Sequence, residues 1–114
     1  MSNKLKGKAG EELAKKYLIK EGYEILDTNF HYSRYGEIDI IAQKGDVISF
    51  VEVKLRTSDK FGMPFEAITK SKLQKIFISA QHYLSTCKRK YRAFQIDAIS
   101  VFGDELKHIK NIEF

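Results

Sequence analysis

The chain has 114 residues, of which 43% are hydrophobic, enough for the core of one domain but not of two, so we predict one domain over residues 1–114. Twenty Lys and Arg against fifteen Asp and Glu give a formal net charge of +5, which suits a polyanionic partner but is equally typical of an ordinary basic protein. The single cysteine, Cys87, excludes an internal disulfide and a multi-thiolate metal site. No apolar run is long enough to span a membrane, so we expect a cytoplasmic protein.

The first predicted element is a helix that ends at Gly22. Apolar residues recur there at three- and four-residue spacing, which is typical of a helix with one buried face. The residues of this apolar pattern are Ala9, Leu13, Ala14, Tyr17 and Leu18. We expect the last four to form the buried stripe.

Six further elements follow in the sequence. Segments rich in β-branched and aromatic residues predict three consecutive strands at 23–30, 36–43 and 46–56. The only proline lies in a predicted loop at 57–65, after which helical spacing returns from about Thr69 to Thr86. Two last strands are predicted at 93–102 and 106–114.

The predicted order α-β-β-β-α-β-β specifies an α/β fold. A strand, a long helix and another strand form a crossover, so the strand at 93–102 should lie parallel to the strand at 46–56. The result is a mixed sheet flanked by two helices. The apolar character of both faces of the central strands makes charged residues within them costly.

Two acids interrupt the predicted hairpin "GEIDIIAQKGDVISFVEVK". If its two-residue turn is Gly45–Asp46, with glycine first as a type II′ turn prefers, Asp39 lies directly opposite Glu52. A turn at Lys44–Gly45 would keep both acids on one face, whereas a three-residue loop would separate them. Like charges this close repel each other, so a positive charge should lie between them.

A divalent cation meets this requirement. Lys54 projects to the same side as Glu52 but leaves the pair net negative. Hard oxygen ligands favour Mg²⁺ or Mn²⁺, since the His and Cys ligands of zinc are missing here. Asp39 and Glu52 would be the ligands, joined by the backbone carbonyl of Val53. Such a site supports attack of a metal-activated water on a phosphodiester, with Lys54 orienting or deprotonating that water.

The spacing D-x(12)-E-x-K on a hairpin resembles that of the PD-(D/E)xK nuclease superfamily, whose fold is called restriction-endonuclease-like. More narrowly, six segments resemble the YraN-like family of small, largely uncharacterised bacterial proteins. These are "GKAGEELAKKYL", "GYEILDTNF", "GEIDIIA", "FVEVKLR", "FGMPFEAITKSKLQKI" and "AQHYL", which cover about residues 7–85 in order. The layout is also similar to that of archaeal Holliday-junction resolvases, which are dimeric.

The resemblance implies an endonuclease-like domain with a catalytic group of Glu11, Asp39, Glu52 and Lys54. Glu11 matches the acid on the first helix that points at the metal site in related nucleases; Glu12 is the rival, and helix phase favours Glu11 slightly. The superfamily's proline before the first aspartate is replaced here by Ile38. Gln81 and Tyr83 do not match the Q-x-x-x-Y motif of some members.

Basic residues near these motifs are candidates for a track that binds phosphates. They are Arg34, Arg56, Lys70, Lys72, Lys75, Lys88, Arg89 and Lys90, together with Arg92. For any one of them, a solvated surface position is the competing interpretation. Tyr32, Tyr35 and Phe61 in predicted loops could stack on unpaired bases or close the core instead.

These patterns predict a Mg²⁺- or Mn²⁺-dependent endonuclease that hydrolyses DNA, including branched or structured DNA. The alternative is a nucleic-acid-binding or partner-binding module on the same fold without catalysis. RNA remains open as a substrate because nothing in the sequence recognises a 2′-hydroxyl. A homodimer is expected by analogy alone.

Overall fold

The computed structural model describes residues 3–56 and 68–113, with side chains described from Lys8 onward. Its elements are α1 (Asn3–Lys20), β1 (Glu24–His31), β2 (Glu37–Lys44), β3 (Val47–Leu55), α2 (Lys70–Thr86), β4 (Ala93–Phe102) and β5 (Glu105–Ile109), with a short 3₁₀ helix, Ser33–Tyr35, between β1 and β2. This order confirms the predicted α/β fold. The predicted loop at 57–65 lies outside the described residues.

The five strands form one mixed sheet in the order β1-β2-β3-β4-β5. Strands β3 and β4 are parallel, and the other three neighbouring pairs are antiparallel. The crossover that contains α2 therefore joins two adjacent parallel strands, as predicted. No helix in the described parts of the chain is long and apolar enough to cross a membrane.

The two helices cover the sheet through two separate apolar clusters. On one side, Leu73, Ile76 and Ala80 of α2 pack with Phe50 and other sheet residues. On the other side, Ala14 and Leu18 of α1 join a second cluster, whose sheet members are Ile40, Ala42, Val51, Ile99 and Val101. The central strands are thus buried on both faces, as their apolar sequences predicted.

The buried stripe of α1 is narrower than predicted. Ala14 and Leu18 are fully buried, but Leu13 is 40% exposed and Ala9 is exposed as well. Successive helical residues are turned by about 100°, so Leu13 projects well away from the line through Ala14 and Leu18. Counting Leu13 in the stripe was therefore wrong.

The last strand is shorter than predicted, because it ends at Ile109 rather than at residue 114. Asn111 adopts a positive φ of 56°, which extended strand residues avoid. The chain turns there, and the backbone amide of Ile112 donates to the carbonyl of Ile96 on β4. Ile112 thus packs against the apolar cluster on the α2 side of the sheet without continuing β5.

Candidate active site

The β2–β3 hairpin has the predicted two-residue turn. Lys44 pairs with Val47, and Gly45 has a φ of +61°, the value that the first central residue of a type II′ turn requires. The antiparallel pairing continues to Ile40 and Val51. One further step in this register would place Asp39 opposite Glu52, as the sequence predicted.

Asp39 lies where β2 and β3 stop pairing. Continuing the register would set Val53 opposite Ile38, but the Val53 amide instead donates to Asp39 Oδ2 at 2.7 Å. The carboxylate thus takes the place of a strand carbonyl. Because the amide and carbonyl of one strand residue point to the same side, we expect the Val53 carbonyl to face this side as well.

The surroundings of Asp39 oppose its ionisation. Partial burial and then the nearby charge of Glu52 raise the pKa of Asp39 to about 7, although the Val53 amide favours the charged form. Glu11 and Glu37 raise the pKa of Asp39 further. The two acids, called the carboxylate pair below, therefore have the mutual repulsion expected from their sequence positions.

Glu52 is only 6% exposed, and two ammonium groups compensate its charge. Lys72 Nζ lies 2.5 Å from Glu52 Oε1, whereas Lys54 Nζ lies 3.9 Å from the same oxygen. Lys72 was predicted to contact phosphates, not to pair with Glu52. The structure therefore adds a fourth charged side chain to Asp39, Glu52 and Lys54.

Lys54 and Lys72 shift each other's pKa values. Burial and the neighbouring Lys72 lower the pKa of Lys54, against the opposite influence of Glu52 and Asp39. Burial also acts to lower the pKa of Lys72, but the bond to Glu52 outweighs it, so the pKa of Lys72 is raised. Lys72 is thus held as the charged partner, and Lys54 gives up its proton more readily than an ordinary lysine.

The start of α2 fixes the position of Lys72. Thr69 is the N-cap residue, and its Oγ1 accepts a hydrogen bond from the Lys72 backbone amide at 3.1 Å. Leu73 and, one turn after Lys72, Ile76 anchor this end of α2 in the apolar core. The Lys72 side chain therefore leaves the first turn of a helix whose phase is set by buried neighbours.

The carboxylate pair opens into a cavity of about 430 Å³, called the site cavity below. Its charged lining residues are Arg34, Glu37, Asp39, Glu52, Lys72 and Lys75, and Tyr35 forms part of its wall. Three of the residues predicted to bind phosphates, Arg34, Lys72 and Lys75, thus lie beside the carboxylates. The cavity combines cations with acids, as a site for a phosphate and a cation requires.

Glu11 approaches the carboxylate pair from α1. Its carboxylate oxygens accept hydrogen bonds of 3.2 and 3.4 Å from Asn29 Nδ2, and its charge contributes to the raised pKa of Asp39. The rival residue, Glu12, is exposed and pairs with Lys15 at 3.0 Å. The geometry therefore favours Glu11 over Glu12 as the helix acid near the site.

The described residues provide an incomplete metal cage. Within 3–56 and 68–113, no group of three or more His, Cys, Asp or Glu side chains converges in a way that could hold a metal ion. A cation at the carboxylate pair would have two side-chain ligands and a backbone carbonyl from the protein. Hard oxygen donors and free positions for water fit Mg²⁺ or Mn²⁺ and not a structural zinc ion.

The other predicted phosphate contacts are spread over the molecule. Lys70 is exposed at the start of α2, and the backbone amide of Arg56 donates to the Val101 carbonyl just after β3. Arg89 pairs with Glu24 and donates to Gln43 Oε1, and the Lys90 carbonyl accepts from Gln43. Lys88, Arg89, Lys90 and Arg92 thus belong to the hairpin end of the sheet.

This basic group does not belong to the lining of the site cavity, whose basic members are Arg34, Lys72 and Lys75. Gln43 is four residues along β2 from Asp39, a separation of about 13 Å at the rise of an extended strand. The residues predicted to contact phosphates therefore lie in two basic groups near the two ends of β2.

The predicted loop aromatics form a stack at the wall of the site cavity. Tyr32 stacks on His82 with ring centroids 4.0 Å apart and on Tyr35 at 5.8 Å, and the Arg34 guanidinium lies 5.6 Å from the centroid of Tyr35. Phe61 lies outside the described residues. Tyr83 packs edge-on against Phe50 in the core.

Sequence reasoning missed a second polar cluster, on the α1 side of the sheet. Asp97 is fully buried in β4, and its Oδ2 lies 2.8 Å from His108 Nε2 on β5. The Tyr17 hydroxyl lies 2.9 Å from His108 Nδ1, and Gln95 Nε2 and the Asn111 amide both donate to Asp97 Oδ1. The sequence did contain a signal for this cluster, because Asp97 is a charged residue within an otherwise apolar strand, as Asp39 and Glu52 are.

Comparison with known proteins identifies relatives over most of the chain. The model of a family described as "Uncharacterised protein family UPF0102" matches residues 10–101. A UPF0102 protein of Thermodesulfovibrio yellowstonii is 44% identical over 108 residues, covering 95% of both chains. One of Syntrophomonas wolfei is 42% identical over 113 residues, covering 96% of this chain and 97% of its own. This chain therefore belongs to the UPF0102 family, which confirms the YraN-like resemblance.

Proposed function

We propose that this protein is a metal-dependent nuclease that hydrolyses phosphodiester bonds of DNA, including branched or structured DNA. The observation that carries the proposal is the carboxylate pair, Asp39 and Glu52, which shares one cavity although the two charges repel. The arrangement of Asp39, Glu52 and Lys54 on the hairpin also agrees with the PD-(D/E)xK pattern, which supports this class of reaction.

Asp39, Glu52 and the Val53 carbonyl would hold Mg²⁺ or Mn²⁺. The cation would supply an acidified water and would stabilise the negative charge that develops at phosphorus. The other roles belong to the chain's own side chains. Lys54, whose pKa is lowered, is suited to orient the attacking water or to accept its proton.

Further side chains of the site cavity would position the substrate. Arg34 and Lys75 line it and would hold the phosphate backbone. Glu11 would orient water on the α1 side of the carboxylate pair. Tyr35 would stack on an unpaired base next to the scissile phosphate, which favours branched substrates over uninterrupted duplex.

A cleavage assay tests this proposal. Purified protein is incubated with Mg²⁺ or Mn²⁺ and with supercoiled, linear or four-way-junction DNA, or with an RNA hairpin. We expect metal-dependent cleavage of DNA, which falls by about 100-fold or more in Asp39→Ala and Glu52→Ala because each substitution removes a charged ligand. The control is Glu12→Ala, which removes an exposed acid of α1 and should leave the rate unchanged. Cleavage that persists undiminished in both site variants would contradict the proposal.

The second candidate is a nucleic-acid-binding or partner-binding module without turnover. The bond between Lys72 and Glu52 favours it, because an internal ammonium already compensates Glu52. This candidate predicts that the protein binds DNA in a salt-dependent manner but does not nick it in the presence of Mg²⁺ or Mn²⁺. The same samples distinguish the two, with binding followed by fluorescence anisotropy.

A further inference from the structure

Lys72 occupies the position that a cation would need at Glu52. Its ammonium lies 2.5 Å from Glu52 Oε1, closer than the 3.9 Å of Lys54, and Glu52 is almost fully buried. A buried carboxylate without a counterion is strongly unfavourable, so Lys72 provides the charge that allows Glu52 to stay ionised.

Lys72 and a divalent cation would weaken each other's contact with Glu52 Oε1, because both are positively charged. A cation bound by both members of the carboxylate pair would add two positive charges within a few ångströms of the ammonium. It would also compete with Lys72 for Glu52 Oε1, the oxygen that both lysines approach. Cation binding at Glu52 therefore favours movement of the ammonium away from this oxygen.

The surroundings of Lys72 permit that movement. Its side chain is 37% exposed and lies on the wall of the site cavity, so a change of side-chain rotamer is sufficient. The four-carbon stem of a lysine is flexible, whereas the backbone at Lys72 is held by the Thr69 cap. The released ammonium would join Arg34 and Lys75, which line the same cavity.

We propose that Lys72 is a displaceable counterion, which neutralises Glu52 until a divalent cation binds and then turns to a phosphate of the nucleic acid. This inference rests on the proposed function, because it assumes a cation at the carboxylate pair. It makes Lys72 a positioning residue that couples two binding events. Cation binding releases the Lys72 ammonium from Glu52, and this ammonium can then contact a phosphate. The cation and the polyanion therefore bind cooperatively.

The test is a calorimetric titration of Mn²⁺ into the full chain at pH 8 without nucleic acid. Lys72→Met keeps a long unbranched side chain that helices accept but removes the competing ammonium. We expect this variant to bind Mn²⁺ about tenfold more tightly than the wild type, because the cation no longer displaces a charged partner. The matched control is Lys75→Met, one turn along α2 and in the same cavity, which should change the affinity by no more than about twofold.

Each outcome has a distinct meaning. Equal or weaker Mn²⁺ binding by Lys72→Met, with clear binding by the wild type, would overturn the displaceable counterion and leave the proposed function standing. An absence of Mn²⁺ binding in every variant would overturn both. Circular dichroism of each variant verifies that α2 is intact.

A second measurement follows the released ammonium. Fluorescence anisotropy gives the affinity for a four-way junction with and without Ca²⁺, used in place of Mg²⁺. We expect Ca²⁺ to strengthen binding by the wild type and by Lys75→Met several-fold more than binding by Lys72→Met. An equal Ca²⁺ effect in all three proteins would contradict the coupling between the two sites.

Discussion

Asp39 carries its carboxylate at the point where two strands separate, and one oxygen is committed to the Val53 amide. Burial and the charge of Glu52 raise its pKa to about 7 from an ordinary value of 3.8. Without a divalent cation, the folded protein therefore binds more protons at Asp39 than the unfolded chain does between these two pH values. Stability falls as the pH rises through this window and levels off above it.

Asp39→Asn should remove this pH dependence. The difference of about three pKa units corresponds to at most ~4 kcal/mol, which the wild type loses between about pH 4 and pH 7 and the variant does not. The amide oxygen of Asn can still accept from the Val53 amide. Urea unfolding at pH 5, 6, 7 and 8 with a chelator gives both profiles. Asp46→Asn, at an exposed acid of the hairpin turn, is the control, and parallel profiles for wild type and Asp39→Asn would contradict the assignment.

The sequence was sufficient to find Asp39 and Glu52 because both lie on one hairpin. A two-residue turn fixes which residues face each other, so local chemistry alone sets their proximity. Lys72 could not be assigned in the same way. Its contact with Glu52 depends on how α2 docks on the sheet. The sequence of the intervening segment 57–67 does not predict the distance or the angle between α2 and the sheet.

The cluster around Asp97 joins three elements, β4, β5 and α1, through hydrogen bonds rather than apolar contact. Asp97 accepts from the Asn111 amide and pairs with His108, which in turn contacts the Tyr17 hydroxyl. Neither strand spacing nor helix phase predicted this, because His108 and Asp97 are diagonal neighbours whose register depends on the β4–β5 turn. The cluster lies on the sheet face opposite α2, so we assign it to stability.

Asp97→Ala should destabilise the fold by about 3 kcal/mol or more. The substitution removes a fully buried carboxylate that accepts from the Asn111 backbone amide and from Gln95 Nε2 in partly buried hydrogen bonds, and it removes the partner of His108. Chemical denaturation measures the loss. Asp104→Ala, in the exposed turn between β4 and β5, should change stability by less than about 0.5 kcal/mol. Equal stability of the two variants would show that the cluster contributes little.

Across the whole molecule, the basic residues behind the formal charge of +5 line two separate cavities. Arg34, Lys72 and Lys75 line the site cavity, whereas Arg89 and Lys90 line another cavity at the hairpin end of the sheet, beside Glu24. Composition suited a polyanionic partner and an ordinary basic protein equally, whereas periodicity predicted the sheet and its two helices. The division of the basic residues follows from the long β2–β3 hairpin, whose two ends are separated by the strand length.

The proposed function requires Asp39 and Glu52 to bind one divalent cation together. A calorimetric titration of Mn²⁺ into wild type and Glu52→Gln tests it before any substrate is known, with Glu12→Gln as a control of equal charge change on an exposed acid. We predict one binding event in the wild type and in Glu12→Gln that is lost in Glu52→Gln. Equal Mn²⁺ binding by all three proteins, or none by the wild type, would contradict the account.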